Sequence, residues 1–241
     1  MRNAVAFLTS FGRAATPTPS TFAWFPLVGA LIGLAVGAMW WMARHLWMPL
    51  PAAGIAVVAD LALTGLLHFD GLADSGDGLI APLAREQRMK AMADPAIGAF
   101  GLVSVSAILL LRVGALASMS PSPLALGGLW CLSRTLMVVM SETMTYARGD
   151  GLVSAFLGGG TRGGSRRVML GASWVSGVVV AGVLVYVARG LRGLAALAGE
   201  VAAMALVALL SWRRLGGYTG DVLGASGVVG ETVGLLILAL R

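Results

Sequence analysis

Seven apolar stretches dominate the sequence, and short polar segments separate them. They fall at residues 21–43, 51–69, 97–118, 124–147, 168–188, 193–212 and 222–240. An α-helix needs about 20 apolar residues to cross the roughly 30 Å hydrocarbon core of a bilayer. The pattern predicts an all-α, polytopic integral membrane bundle of about seven transmembrane helices, folded as a single domain over residues 1–241.

Glycine is frequent, with 34 residues in the chain, and three glycines stand four positions apart in the first predicted span. These are Gly29, Gly33 and Gly37. Small residues at this spacing let helix backbones approach closely in lipid. We expect this face to pack against another helix.

The composition excludes several classes of protein. Apolar residues make up 58% of the chain and charged residues 12%, and the mean hydropathy is +0.87, so a water-soluble core covered by charge is excluded. One cysteine and two histidines exclude a disulfide framework and a cysteine-based zinc site, so a metal would need carboxylate ligands. The net charge of +6 is scattered between apolar spans, which argues against nucleic-acid binding. The first 20 residues lack a signal-peptide core, so we expect the N-terminus to be retained.

The basic residues predict the orientation in the membrane. With the N-terminus inside, eleven Lys and Arg residues fall in cytoplasmic segments and four on the opposite side. Because positive residues favour the cytoplasmic side, this bias predicts a cytoplasmic N-terminus. The cytoplasmic segments then include an acidic and basic loop at 70–96, a Gly- and Arg-rich loop at 148–167 and a Gly-rich loop at 213–221.

Acidic residues are concentrated in one of these segments. Six of the eleven lie between Asp60 and Asp94, and Asp70, Asp74 and Asp77 are spaced i, i+4 and i+7. On a helix that continues out of the second span they would share one face, where their mutual repulsion favours a bound cation. Oxygen ligands suit Mg²⁺ or Mn²⁺. The alternative is a solvated acidic loop that caps a helix.

Two neighbours of this cluster have competing interpretations. His68, at the end of an apolar span, is either a general base, a hydrogen-bond donor to phosphate or an interfacial histidine. Asp60 lies within an apolar span, where an unpaired charge is costly. We favour its pairing with Arg112 or Arg134 over a direct metal role.

Three further segments carry basic residues or glycines. Residues 85–94 form either a phosphate clamp or an interfacial basic helix. Residues 158–167 form either a lid over a phosphorylated substrate or a positive-inside anchor. Residues 216–225 combine glycines with Thr219 and Asp221 and suit either a phosphate or metal site or a simple helix N-cap.

At these residues the sequence resembles the membrane-bound cobalamin synthases, which are adenosylcobinamide-GDP ribazoletransferases. The most specific similarity is the run from Thr64 to Gly78, and the resemblance extends over about residues 7–240. The supporting matches are Phe25-Pro26-Leu27-Val28-Gly29, the 88–94 stretch with Gly98 and Gly101, Ser133-Arg134, Tyr146-Ala147-Arg148 and residues 216–225.

The resemblance implies that α-ribazole or its 5′-phosphate attacks adenosylcobinamide-GDP and that GMP leaves. It implies a Mg²⁺-dependent transferase of cobalamin biosynthesis in the inner membrane of a bacterium or archaeon, with a cytoplasmic active face, contact with lipid and no nucleic-acid partner. A homo-oligomer is left open. The expected catalytic residues are His68, Asp70, Asp74, Asp77 and Asp221, with metal on Asp70, Asp74 and Asp77. The expected substrate-binding residues are Thr64, Arg85, Arg88, Asp94, Arg134, Arg148, Arg162, Arg166, Gly217, Thr219 and Gly220.

An ion-coupled transporter is the alternative function. Charged residues within the predicted spans would form its ion path. They are Asp60, Arg112, Arg134, Glu142, Glu200 and Glu231. The acidic cluster lies at the membrane face and not at the midplane, and the sequence has no paired broken spans, so we favour the enzyme.

Overall fold

The computed structural model describes residues 1–11, 19–148 and 164–240, without the side chains of residues 19 and 164–168. Within these ranges the chain is helical and has no β-strand. The helices are α1 (Arg2–Leu8), α2 (Pro19–Phe22), α3 (Phe25–Leu46), α4 (Pro49–Thr64), α5 (Leu67–Ser75, continued by a π-helical turn Gly76–Ile80), α6 (Arg85–Ala91), α7 (Ala99–Ser118), α8 (Pro123–Thr143), α9 (Gly164–Leu215) and α10 (Gly220–Leu238).

The predicted all-α membrane bundle is confirmed. Five helical segments are long and apolar enough to cross a bilayer, and the bent pair formed by α4 and α5 raises the number to six. The sequence predicted about seven spans, and the difference arises in α9, of which 47 residues count as one apolar segment. A straight helix of that length would extend about 70 Å, more than twice the hydrocarbon thickness.

Helix α9 is broken at Gly190, whose φ of 59° and ψ of −138° are not helical. A Cβ on Gly193 would collide with the carbonyl oxygen of Val185, eight residues earlier. Such a contact requires the chain to fold back on itself, because eight residues of straight helix span about 12 Å. The break coincides with the predicted boundary between the fifth and sixth spans.

Helix α4 ends earlier than predicted. The sequence suggested one span over residues 51–69 with the acidic cluster on its continuation, but α4 ends at Thr64 and the chain turns by 94° into α5. Gly65 and Leu66 both adopt left-handed conformations at the turn. Ser10 stabilises this helix end, since its N–H donates to the Leu63 carbonyl and its hydroxyl to the Ala62 carbonyl, both at 2.8 Å. The acidic helix therefore leaves the direction of α4 instead of prolonging it.

Close packing of α3 against α8 follows the predicted glycine face. A Cβ on Gly29 or Gly33 would overlap a backbone carbonyl of α8, at Trp130 and Leu126 respectively. Gly37 lies equally close to Pro123. The expectation that these glycines serve helix packing is confirmed.

A buried ion network joins four helices in the interior of the bundle. Arg112 of α7 donates to Asp60 of α4 at 2.7 Å and to Glu231 of α10 at 2.6 Å. Arg134 of α8 also pairs with Glu231. The indole N–H of Trp130 donates to the second oxygen of Asp60 at 2.9 Å. The predicted pairing of Asp60 is confirmed, with Arg112 as its partner.

Candidate active site

One end of the bundle gathers the ends of several helices around a cavity of about 210 Å³. The charged and polar side chains of its lining come from α5, from the segment after α8 and from the start of α10. They are His68, Asp70, Arg148 and Asp221. Aromatic side chains of α1, α2, α3 and the segment after α8 line the same cavity. These are Phe7, Phe22, Phe25 and Tyr146.

Helices α5 and α10 pack closely enough to bring their carboxylates to one place. A Cβ on Gly71 would lie 2.7 Å from the carbonyl oxygen of Asp221, and a Cβ on Gly224 would lie 3.2 Å from the Cα of His68. Glycine at both positions permits this approach. Asp70 and Asp221 therefore border one cavity although about 150 residues separate them in the sequence.

Asp74 lies one turn after Asp70 and carries the clearest electrostatic signature of the site. Burial raises its pKa to about 6, together with the negative charges of Asp221 and then Asp70, while Arg148 acts in the opposite direction. Asp74 is not among the residues that line the cavity. Burial is the main cause of the shift and the charges of Asp221 and Asp70 add to it, so a cation at this place would stabilise the ionised form of Asp74.

Asp77, the third member of the predicted metal set, has a different environment. Its two carboxylate oxygens accept the N–H groups of Gly98 at 2.7 Å and of Gly101 at 2.9 Å. A carboxylate at the start of a helix satisfies otherwise unpaired N–H groups and interacts favourably with the helix dipole. Asp77 thus caps α7. No three His, Cys, Asp or Glu residues in the described part of the chain form a preassembled metal site, and the predicted role of Asp70, Asp74 and Asp77 as metal ligands stays a prediction.

His68 is a buried polar group in the cavity wall. Its side chain is 4% exposed, and its Nδ1 has no hydrogen-bond partner among the described residues. The expected catalytic role of His68 stays a prediction.

Arg148 lies beside Asp221 because the segment after α8 hydrogen-bonds to the segment before α10. Its guanidinium donates to Asp221 at 3.0 Å and to the Met92 carbonyl at 3.1 Å. The Ala147 N–H donates to the Tyr218 carbonyl at 2.8 Å, which fixes this segment beside α10. The predicted role of Arg148 at a phosphate is consistent with its place in the cavity wall.

Gly217 permits the close approach of these two segments and does not line the cavity. A Cβ at this position would overlap the carbonyl oxygen of Thr145. Close approach is required, as predicted, but the neighbour is backbone and not substrate. The assignment of Gly217 to substrate binding stays a prediction, and the observed contact gives this glycine a structural role.

Two of the other predicted basic residues, Arg88 and Arg134, have structural partners. Arg88 is buried and donates to the carbonyls of Gly78, Leu79 and Ala81 at 2.8 to 3.2 Å, so it stabilises the π-helical turn and does not form the expected phosphate clamp. Arg134 is bound to Glu231 and is not part of the cavity lining.

Three more arginines of the predicted set remain to be placed. Arg85 is exposed and lies against Gly216. Arg162 lies outside the described residues, and Arg166 is in α9 without a described side chain. Of the predicted loop at 148–167, the described residues are Arg148 and the helical positions 164–167.

Several predicted polar contacts are local. Thr64 donates its hydroxyl to the Asp60 carbonyl at 2.7 Å and does not line the cavity. Thr219 is the N-cap of α10 and accepts the N–H of Val222 at 3.3 Å, as the capping alternative proposed. Asp94 accepts the N–H of Ala96 at 2.9 Å on the surface. Gly220, in contrast, does line the cavity.

Sequence reasoning missed the aromatic part of the cavity. Phe7, Phe22 and Phe25 belong to α1, α2 and the first turn of α3. One signal was present, because four of the seven phenylalanines fall within the first 25 residues. Aromatic residues near a membrane interface are common, so this signal alone does not indicate a site.

Fold and site together define a polytopic α-helical membrane protein with a charged site at one end of its bundle. Sequence comparison identifies the family. A family model described as cobalamin-5-phosphate synthase matches residues 1–239. The chain belongs to the cobalamin-5-phosphate synthase family and is a transferase of cobalamin biosynthesis.

Curated relatives named adenosylcobinamide-GDP ribazoletransferase support this assignment. The Citrobacter koseri protein is 35% identical over 219 residues, which cover 89% of this chain and 85% of the relative. The Prosthecochloris aestuarii protein is 32% identical over 92% of this chain and 88% of the relative. The Chlorobaculum tepidum protein is 34% identical over 95% of this chain and 89% of the relative. No solved structure matches the chain.

The comparisons exclude the transporter alternative, and the structure explains most of the charges that suggested it. Asp60, Arg112, Arg134 and Glu231 pair with one another in the interior. Glu200 is fully buried, and its carboxylate has no hydrogen-bond partner among the described residues. The intramembrane charges therefore mainly connect helices.

Proposed function

We propose that the chain joins adenosylcobinamide-GDP to α-ribazole or its 5′-phosphate and releases GMP. The family assignment and the names of the relatives support this reaction. The observation that carries the assignment of the site is the shared cavity of Asp70 and Asp221, with Arg148 in its wall and Asp74 beside it. Phosphoryl transfer needs carboxylates and guanidinium groups together, and here two distant segments supply them.

In this reaction a ribose hydroxyl oxygen forms a bond with the phosphorus that bears the cobinamide. The bond between that phosphorus and the bridging oxygen of the diphosphate breaks, and GMP leaves with the bonding electrons. The proton of the hydroxyl passes to a base on the enzyme. Every atom is accounted for by the two substrates, so no oxidant or reductant is required.

The donor chemistry of the site suits a divalent cation. Mg²⁺ in proteins commonly binds one or two carboxylates together with substrate phosphate oxygens, so a preassembled set of three protein ligands is not needed. Asp70 and Asp74 would hold it, because they are one turn apart on α5 and Asp70 lines the cavity. When bound, the ion neutralises the diphosphate and stabilises the charge that develops on the departing GMP.

Asp221 is the better of the two predicted proton acceptors. Its carboxylate lies in the cavity wall, where Arg148 at 3.0 Å and the Thr219 hydroxyl at 3.3 Å fix its orientation. A positioned base contributes only if it reaches the reacting hydroxyl. His68, whose Nδ1 has no hydrogen-bond partner among the described residues, orients the substrate by hydrogen bonding.

We further propose that the chain lies in the cytoplasmic (inner) membrane of a bacterium or archaeon and that its active site is on the cytoplasmic face. The charge bias of eleven to four supports this orientation. Residues near 70–94 and 213–221, which the bias assigns to the cytoplasm, meet at the same end of the bundle, as the contact of Gly71 with Asp221 shows.

Release of radiolabelled GMP by protein reconstituted in lipid vesicles tests the reaction. We expect GMP only when both substrates and Mg²⁺ are present, and chelation followed by Mg²⁺ addition should abolish and restore it. Asp70→Asn should remove the activity, whereas the matched control Glu86→Gln, an exposed acid on α6, should retain it. Release without the nucleoside substrate, or full activity of Asp70→Asn, would contradict the proposal.

A further inference from the structure

The aromatic wall of the cavity has no role in the reaction described so far. Phe7, Phe22 and Phe25 form it, and we call these three residues the phenylalanine wall. The rings of Phe7 and Phe25 stack with centroids 5.9 Å apart and planes at 21°. The Phe22 ring lies against Phe25 at 4.9 Å and 55°. Aromatic residues arranged in this way offer a rigid apolar face.

A second observation indicates that a ligand belongs beside this wall. His68 lines the same cavity and is 96% buried, and its Nδ1 has no hydrogen-bond partner among the described residues. A buried polar atom without a hydrogen bond costs about 1–3 kcal/mol. A bound ligand that offers a hydrogen-bonding group at this place would satisfy it.

The size of the cavity limits which substrate group can enter. Its volume of about 210 Å³ is below the range of roughly 300–1,000 Å³ that is typical of pockets for drug-sized ligands. A corrinoid is much larger than such ligands and cannot be enclosed. A single aromatic base with part of its ribose is the appropriate size.

The lining also discriminates between the two nucleosides of the reaction. Guanine carries several donors and acceptors on its edges, and each would need a partner when buried. The phenylalanine wall offers none, and Leu8, Leu67 and Met137 beside it are equally apolar. A planar base with few polar groups on its edge suits this apolar part of the lining better.

We propose that the phenylalanine wall binds the aromatic base of the nucleoside acceptor, with His68 as its hydrogen-bonding partner. This inference rests on the proposed function, since it assigns a place to one of the two substrates. The base would stack on the wall while its ribose extends toward Asp221, where the attacking hydroxyl loses its proton. The corrinoid and its diphosphate then approach from the side of Asp70 and Asp74.

Steady-state kinetics of Phe7→Leu and Phe25→Leu test this assignment, because leucine keeps an apolar side chain and removes the aromatic face. Stacking of a base on an aromatic side chain changes affinity by about 10-fold or more. We expect the KM for α-ribazole to rise by about that factor while the KM for adenosylcobinamide-GDP stays unchanged. Phe100→Leu, at a phenylalanine of α7 outside the cavity lining, is the matched control and should change neither.

Equilibrium dialysis of α-ribazole against the purified protein, without corrinoid or metal, gives a readout independent of turnover. Both variants should bind α-ribazole about 10-fold more weakly than the wild type and the control. A rise in the KM for adenosylcobinamide-GDP instead, or unchanged binding of α-ribazole, would overturn the assignment. If the wild type binds α-ribazole but releases no GMP, the proposed reaction fails and the nucleoside site stands; if it does not bind α-ribazole, the site itself fails.

Discussion

Replacing Arg112 by methionine tests the buried ion network that holds α4, α7 and α10 together. The guanidinium donates to Asp60, to Glu231, to the Thr232 hydroxyl and to the Val228 carbonyl. Methionine fills much of the space but offers no donor. Removal of one partner from a buried ion pair usually costs about 3–5 kcal/mol, because a charge is left uncompensated.

The substitution does not remove the same share of hydrogen-bond donors from Asp60 and from Glu231. Glu231 keeps Arg134 and the Ser133 hydroxyl at 2.7 Å, whereas Asp60 loses its ion-pair partner and keeps the indole N–H of Trp130. The expected loss is therefore that of a single orphaned carboxylate, about 3–5 kcal/mol, and not twice that amount.

Unfolding in detergent, followed by tryptophan fluorescence, measures this loss. The double variant Asp60→Asn with Arg112→Met removes the orphaned charge and should recover at least about 1 kcal/mol of stability, since contacting residues are energetically coupled. Arg213→Met, at an exposed arginine, should change stability by less than about 0.5 kcal/mol. A loss below about 1 kcal/mol for Arg112→Met, the value of a surface ion pair, would refute the reasoning.

Three further predictions concern the site and the topology. Asp74→Asn should lower turnover about 100-fold or more without lowering the unfolding temperature, because it removes a charge that its neighbours repel; a near wild-type rate would contradict this. Gly71→Ala should reduce both turnover and stability, since its Cβ would lie 2.7 Å from the Asp221 carbonyl, whereas Gly54→Ala, with no atom within 4 Å, should be tolerated; equal behaviour in both assays would count against the close packing. A reporter fused after Ala81 should be read as cytoplasmic, and a periplasmic signal would reverse the proposed orientation.

The apolar periodicity predicted the helices well, because a bilayer imposes nearly the same length on every span. The periodicity failed at the end of α4, where a tertiary contact determines the helix boundary. Nothing in the run of residues 51–69 indicates that Ser10, more than 50 positions earlier, caps the end of α4 at Thr64. The two consecutive left-handed residues that produce the 94° turn depend on this tertiary contact as well as on Gly65.

The sequence predicted which types of residue form the site more reliably than it predicted which groups those residues contact. The sequence indicated that carboxylates and arginines share one end of the bundle, and the structure brings Asp70, Asp221 and Arg148 together there. The sequence spacing placed Asp77 on the same helix face as Asp70 and Asp74. It could not show that the start of α7 offers two N–H groups that occupy both oxygens of Asp77. Such partners come from packing, not from helix periodicity.

The fate of a single labelled phosphate tests the central claim most directly. Adenosylcobinamide-GDP would carry radioactive phosphorus only in the phosphate attached to cobinamide, and the reconstituted protein would receive it with α-ribazole and Mg²⁺. Attack at that phosphorus with departure of GMP predicts that all transferred label appears in the corrinoid product and none in the released nucleotide. Label recovered in a free guanine nucleotide would place bond cleavage elsewhere and contradict the account.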